Sequence, residues 1–431
     1  MSLRVTSMIG WLRDAEWFTR DRAIAYCRIL FGVTVSAVVL WIALSQGGVD
    51  RAGKPLGTDF LSFWTASQIA LGGHPADVYD VATHHAAQTA LFPRDAGYVA
   101  FFYPPPFLLL CLPLATLPYL WSLAAWLAAT GFACWRVLSA WLGKEYGALP
   151  IVAFPAMLSN LGHGQNAFLT AALFGGGALM LNARPFVAGL CLGALVYKPH
   201  LAIVIPVALI AARRWRVVVG AAASALGLCL ASLGAFGVDG WRAFLAASPL
   251  ARIALERNMV GDAKMQSVFA AVRLLHGGLT LAYGLQVVAA LVVCLALVGL
   301  QRRSFRSSAE GPAMVAAALL ASPFLLDYDL VLLGVPLAWV ARQGFRDGFL
   351  PWEKSALLVA FVLPAVSRSI AGLVGVPLGP VVIAGVLLMV LRRAVAPPRP
   401  DAEGAAEPVA TVAADVAPAL SRERETMVDM V

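Results

Sequence analysis

IAYCRILFGVTVSAVVLWIAL, residues 24–44, is apolar along almost its whole length. About 20 such residues suffice to cross a bilayer as a helix. Arg4, Arg13, Arg20 and Arg22 precede the run and no small-residue cleavage site follows it, so it reads as a retained membrane helix and not a removed leader. The rest of the chain has the same character: of 431 residues, 60% are hydrophobic and 13% charged, with a mean hydropathy of +0.78. Soluble domains carry about a quarter charged residues, so this composition specifies an all-α polytopic membrane protein. The formal charge of +8 is not a nucleic-acid signature, because Arg and Lys fall in short clusters between apolar runs, as cytoplasmic loops do.

Directly after the first run comes GTDFLSFWTASQIALGGHPADVYD, residues 57–80. It carries one acid, Asp59, among the aromatics Phe60, Phe63 and Trp64, and a second cluster, Asp77, Tyr79 and Asp80. A carboxylate held among aromatics at the edge of a membrane is a candidate general base. The plainer reading makes Trp64 a member of an interfacial aromatic belt and Asp59 a solvated helix cap.

The polar region 45–103 is too long for a turn and too short for an independent domain, and it ends in Tyr103-Pro104-Pro105-Pro106. Prolines cannot continue a helix, so a rigid extended entry to the next apolar run follows. Between 104 and 212 two segmentations compete. The positive-inside rule favours the one that lays 107–117 in the interface, broken at Pro113 and Pro118, and crosses with 119–138. That choice leaves two short spans, 186–197 and 201–212, which are acceptable only as buried or broken helices. Further crossings follow at 217–236, 279–300, 313–326, 330–340, 355–371 and 381–391, with basic clusters at Arg213, Arg214 and Arg216, at Arg302, Arg303 and Arg306, at Arg342 and Arg346, and at Arg392 and Arg393. The total is about twelve spans, each set by bilayer thickness. Residues 1–393 form one membrane domain, with large external loops at 45–103 and 237–278, and the Pro-, Ala- and Glu-rich tail 394–431 reads as disordered and cytoplasmic.

This topology collects the acids on one face. Asp327, Tyr328 and Asp329 fall at the same outer side as Asp59; they could orient a sugar hydroxyl, hold a metal or cap a helix. Lys198, in LVYKPHL, lies away from the basic clusters, where a lysine costs about 3 kcal/mol at bilayer depth unless paired or hydrated. A lipid phosphate would be a fitting partner, and a snorkelling interfacial lysine is the alternative. Asn160, His163, Gln165 and Asn166 form a polar, glycine-bearing break suited to hydroxyl recognition or to helix capping. Arg257, Lys264, Gln266 and Arg273 belong to the second external loop and could meet an anionic head group or only solvent. The cysteines Cys27, Cys111, Cys134, Cys191, Cys229 and Cys294 lie in or beside apolar runs without a CxxC pair, so they read as small hydrophobes. No P-loop, GxSxG, HExxH or Rossmann pattern occurs, which argues against a nucleotide-driven pump and a metalloprotease.

In order, GTDFLSFWTAS, HPADVYD, FYPPP, GHGQNAFLT, AGLCLGALVYKPHLAIVIPVALIAARRWR and SPFLLDYDL resemble glycosyltransferase family 87, over roughly residues 24–393. These are membrane enzymes of the GT-C fold that include mycobacterial α-mannosyltransferases acting on phosphatidylinositol mannosides. The resemblance implies a polyprenyl-phosphate sugar donor, a lipid or glycan acceptor, and transfer at the extracytoplasmic face of the plasma (inner) membrane. It places Asp59 at the catalytic position and matches Lys198 to the lysine of the family's K-P motif, where donor-phosphate binding is inferred, with Arg257 and Lys264 as further phosphate contacts. Trp64, Tyr103, His163, Gln165, Asn166, Gln266, Asp327, Tyr328 and Asp329 are then candidates for substrate contact. The chain departs from the mycobacterial members at SPFLLDYD, where Tyr328 and Asp329 stand in the place of a histidine-containing segment. No cofactor is required by this scheme, although Asp327 or Asp329 could hold a divalent ion. A transporter or flippase of a lipid-linked saccharide is the rival class; it would favour matching broken helices in two halves, which the sequence does not display.

Overall fold

The computed structural model describes residues 2–92, 97–302 and 305–396, with side chains from Met8 onward. Arg303 and all but the first residues of the expected tail lie outside the described residues. The described chain is helical throughout, with isolated β-bridges only. Helix α1 (Ser2–Asp14) leads into α2 (Arg20–Ala43), which is capped at its start by the Thr19 hydroxyl. Within α2 only Cys27 is buried, so this helix leans on the bundle without being enclosed by it.

The segment expected as a polar external loop is more structured than its composition suggests. It folds into α3 (Phe60–Leu71) and α4 (Val81–Leu91), and α3 is buried from Phe60 to Ser67. The Trp64 indole donates to the Leu117 carbonyl (3.0 Å) and packs edge-on to Tyr119, so it is a packing residue and not part of an interfacial belt. The reason is the local sequence FLSFW, whose three rings and one leucine are all buried in the bundle. Phe63 alone meets Phe101, Tyr103, Phe107 and Trp126 edge to face.

The proline-rich entry is extended only through Pro104, and Pro105 and Pro106 already form the first turn of the next helix. Helix α5 (Pro105–Cys111) starts on prolines, a 3₁₀ turn holds Leu112–Thr116, and α6 (Tyr119–Leu142) begins after Pro118. After the short α7 (Leu149–Val152), the polar break divides α8 (Pro155–His163) from α9 (Ala167–Met180). The two short spans at 186–197 and 201–212 are broken, as their length requires, into four consecutive pieces: α10 (Pro185–Gly193), a 3₁₀ turn Ala194–Tyr197, α11 (Pro199–Ala202) and α12 (Val204–Ala211). Pro199 and Pro206 remove backbone donors here, and such breaks survive in a membrane only where protein covers them. Leu195, Tyr197, Lys198 and Leu201 are accordingly buried.

Helix α13 (Trp215–Glu256) carries helix into the expected external segment. The chain resumes helix after a kink at Gly237 (φ 66°), the left-handed conformation open to glycine, so residues 238–256 are helical. The segment after the kink is rich in Ala, Leu and Arg, good helix formers without a turn signal strong enough to stop them. Helices α14 (Val268–Leu274), α15 (Leu279–Gln301), α16 (Glu310–Ala321), α17 (Gly334–Asp347), α18 (Glu353–Val374) and α19 (Leu378–Val395) complete the bundle, with a 3₁₀ segment Asp327–Leu333 ahead of α17. Among the described residues, six helices are long and apolar enough to cross a membrane, namely α2, α6, α13, α15, α18 and α19. The remaining apolar segments are shorter, so the expected dozen crossings resolve into six long helices and a set of broken ones.

Close packing rests on small residues. Gly189 and Gly193, four apart on α10, face Gly220 and Ala221 of α13 so tightly that a Cβ at either would land on the backbone opposite. Ala313–Leu319 of α16 is wholly buried at the centre. One end of the bundle is knit by ion pairs: Arg214 with Glu310 (2.6 Å), Arg393 with Glu353, and Arg306 with Asp347. The other end carries Asp59.

Candidate functional site

The site forms where two glycine turns touch. Gly57 (φ 67°) and Gly164 (φ 65°) are both left-handed; a Cβ on Gly57 would meet Leu123 at 2.7 Å, and one on Gly164 would meet the Phe60 Cβ at 2.6 Å. Their close approach lets the Asp59 amide donate to the His163 carbonyl (3.0 Å), which clamps the start of α3 to the end of α8. The Asp59 side chain then projects into the shared corner. Its Oδ2 accepts from Gln165 Nε2 (3.1 Å) and lies 3.7 Å from His163 Nδ1, while Thr58 Oγ1 sits 3.2 Å from the same imidazole nitrogen. Gln165 is itself oriented by Tyr103, whose hydroxyl donates to Oε1 (3.2 Å), and Tyr79 donates to the Tyr103 carbonyl (3.2 Å). Asp59 does not cap α3 with its side chain, so its carboxylate is free for chemistry, and it is 22% exposed.

Burial pushes the Asp59 carboxyl up, but hydrogen bonds from His163 and Gln165 and the charges of His163 and Lys264 outweigh it and hold the group below its ordinary value. Asp327 moves the opposite way: burial raises it, and His163, Arg368 and Lys264 only partly compensate.

Lys198 and Asp329 are each 2% exposed and are joined at 2.6 Å. In this structure Lys198 is paired with Asp329, as the cost of an unpaired buried cation requires. The lysine also lies 5.4 Å from the centre of the Tyr328 ring, and that ring meets His163 at 5.9 Å. A continuous chain thus links Lys198 and Asp329 through Tyr328 and His163 to Asp59, at one end of the bundle. Asp327 lies 3.7 Å from Arg368 of α18. Lys264 is half-buried and its charge reaches both Asp59 and Asp327. Gln266 is buried; its backbone amide donates to the Leu325 carbonyl (2.8 Å), while its Nε2 has no hydrogen-bond partner among the described residues. Both side-chain polar atoms of the buried Asn166 are likewise unpartnered beside Tyr103. Arg257 is exposed at the end of α13 and is not drawn into this cluster. Among the described residues no three His, Cys, Asp or Glu side chains gather to hold a metal ion.

Arg368 escaped the sequence reading. It sits inside the apolar run of α18, and its only signal was the cost of a cation there, the same signal that singled out Lys198. Its guanidinium is 53% exposed and borders a crevice of about 320 Å³ between α2, α8 and α18, lined by Val38, Trp41, Leu158, Ser159, Gly162 and His163. The crevice leads from the α2 side of the bundle to the imidazole beside Asp59.

No curated protein and no solved structure matches the chain. The family model for glycosyltransferase family 87 matches residues 101–326, a stretch that contains Tyr103, His163, Gln165, Lys198 and Lys264 and that begins after Asp59 and ends just before Asp327. A helical, membrane-embedded bundle with a polar corner of this composition is in keeping with that match, and the chain belongs to glycosyltransferase family 87.

Proposed function

We propose that this membrane glycosyltransferase moves a sugar from a polyprenyl-phosphate donor to a hydroxyl of a lipid or glycan acceptor at the extracytoplasmic face, with Asp59 as general base. One observation carries the reading: a partly exposed carboxylate, held by Gln165, stands beside His163, whose imidazole lines a crevice bordered by the Arg368 guanidinium. The ion-paired end of the bundle is rich in arginine, and the positive-inside rule puts that end in the cytoplasm of the plasma (inner) membrane and Asp59 opposite.

The donor brings its own leaving group. Asp59 takes the proton of the acceptor hydroxyl as the new oxygen–carbon bond forms at the anomeric centre. The bond from that carbon to the phosphate oxygen breaks with its electron pair, and the direct displacement inverts the centre. The departing phosphate needs cations on the spot. Lys198 is engaged with Asp329, so Lys264 and Arg368 are the better-placed pair. A mannose or another hexose or pentose fits this scheme equally.

The test is transfer by purified protein in liposomes, with polyprenyl-phosphate sugars and nucleotide sugars offered in parallel. Glycosylated acceptor with equimolar polyprenyl phosphate is expected; turnover with the nucleotide sugar alone would overturn the donor assignment. Arg368→Ala is expected to raise the donor KM about tenfold or more, equivalent to losing a charge-assisted hydrogen bond of ~1.5–3 kcal/mol.

A further inference from the structure

A larger cavity lies away from Asp59, towards the ion-paired end of the bundle. It measures about 630 Å³, within the ~300–1,000 Å³ of ligand pockets generally, and runs between α2 and the faces of α6, α17 and α18. Its walls are apolar: Ile24, Leu30, Leu138, Leu337, Leu357 and Phe361 are among them. Along α2 it extends from Thr19 to Leu30. At 1.5 Å per residue that is ~17 Å, against ~15 Å for half of a hydrocarbon core. The cavity therefore has the depth of one leaflet.

Its mouth is cationic. Arg20 stacks over the Tyr146 ring (5.9 Å), Lys354 lies over Phe349 (5.7 Å), and Arg342 and Arg346 also face the Tyr146 hydroxyl. Arg342 leaves its Nε buried without a hydrogen-bond partner among the described residues. Of the acids nearby, Glu353 is already taken by Arg393, Asp347 by Arg306 and Asp14 by Arg13, while Glu145 faces Tyr146 and Glu16 and Asp21 flank the start of α2. Positive charge is thus in excess at the interface, above an apolar slot one leaflet deep.

We infer that this cavity is a binding site for an anionic glycerophospholipid of the leaflet at the ion-paired end, with an acyl chain between α2 and α18 and the phosphate among Arg20, Lys354 and Arg342. Helix α2 packs lightly here: within it only Cys27 is buried, and Ile29 and Val33 are each 62% exposed. The same helix walls the second crevice through Val38 and Trp41, next to His163. A lipid that seats α2 at one end therefore sets the width of the crevice at the other.

Binding is read independently of turnover, so failure of the donor assignment leaves this test intact. The full-length protein, purified in detergent, is titrated with phosphatidylglycerol or phosphatidylcholine and followed by native mass spectrometry and thermal unfolding. Retention of phosphatidylglycerol at least fivefold over phosphatidylcholine is expected, with an upward melting shift for the anionic lipid alone. The double variant Arg20→Ala, Lys354→Ala should lose that preference, and Ala341→Phe, which fills the slot and keeps the charges, should lose binding of both lipids. Equal retention of the two lipids by the native chain, or an unchanged preference in both variants, would overturn the site and leave an adventitious lipid only.

Discussion

Asp59→Asn is expected to lower sugar transfer by a factor of 10²–10⁴, the usual contribution of a positioned general base, while the protein still reaches the membrane in normal amount. Asparagine is nearly isosteric, and the backbone bond from residue 59 to the His163 carbonyl does not involve the side chain, so the corner keeps its shape. What is lost is the acceptor for the hydroxyl proton. The pH profile gives a second reading of the same group. Asp59 is depressed in the folded protein, so it is ionised above its folded pKa and is silenced only as pH falls through that value. The acid limb set by this carboxylate should therefore lie below ~3.9, the value of a free aspartate. Gln165→Leu removes one of the bonds that lower it, and should move the limb upward. Turnover by Asp59→Asn at the native rate would remove this carboxylate from the reaction.

The fold class was legible because a bilayer leaves little choice: apolar runs of sufficient length must be helices. The corner was legible in its parts, since Asp59, His163 and Gln165 each stood out as polar groups among apolar neighbours. Their meeting was not, because it depends on Gly57 and Gly164 packing together across 107 positions of sequence, and a single chain does not announce such a contact. The number of pieces around Pro199 and the helix beyond Gly237 stayed hidden for a related reason. Hydropathy reports what a segment can bury, not whether protein or lipid covers it. Lys198 shows the limit most sharply: its cost was read correctly, but its partner lay 131 residues away in Asp329.

That pairing sets up the second large effect. Lys198→Met should destabilise the protein by ~3–5 kcal/mol, because it strands the Asp329 carboxylate in a site only 2% exposed. Combining it with Asp329→Leu removes both charges, and replacing a buried ion pair by apolar groups of similar volume is often neutral or stabilising. The double variant should therefore recover most of the native melting temperature, and with it most of the activity, because the pair acts by packing Tyr328 beneath His163 and not by touching the donor. The two roles for the lysine part company at this point. A phosphate ligand cannot be restored by deleting a second residue: if the double variant were stable as the native protein yet showed a donor KM raised a hundredfold, Lys198 would belong to the phosphate site and the ion pair would be a resting state opened by substrate. Recovery of stability and KM together would make Lys198 and Asp329 a positioning pair, and would leave the charge on the leaving phosphate to Lys264 and Arg368.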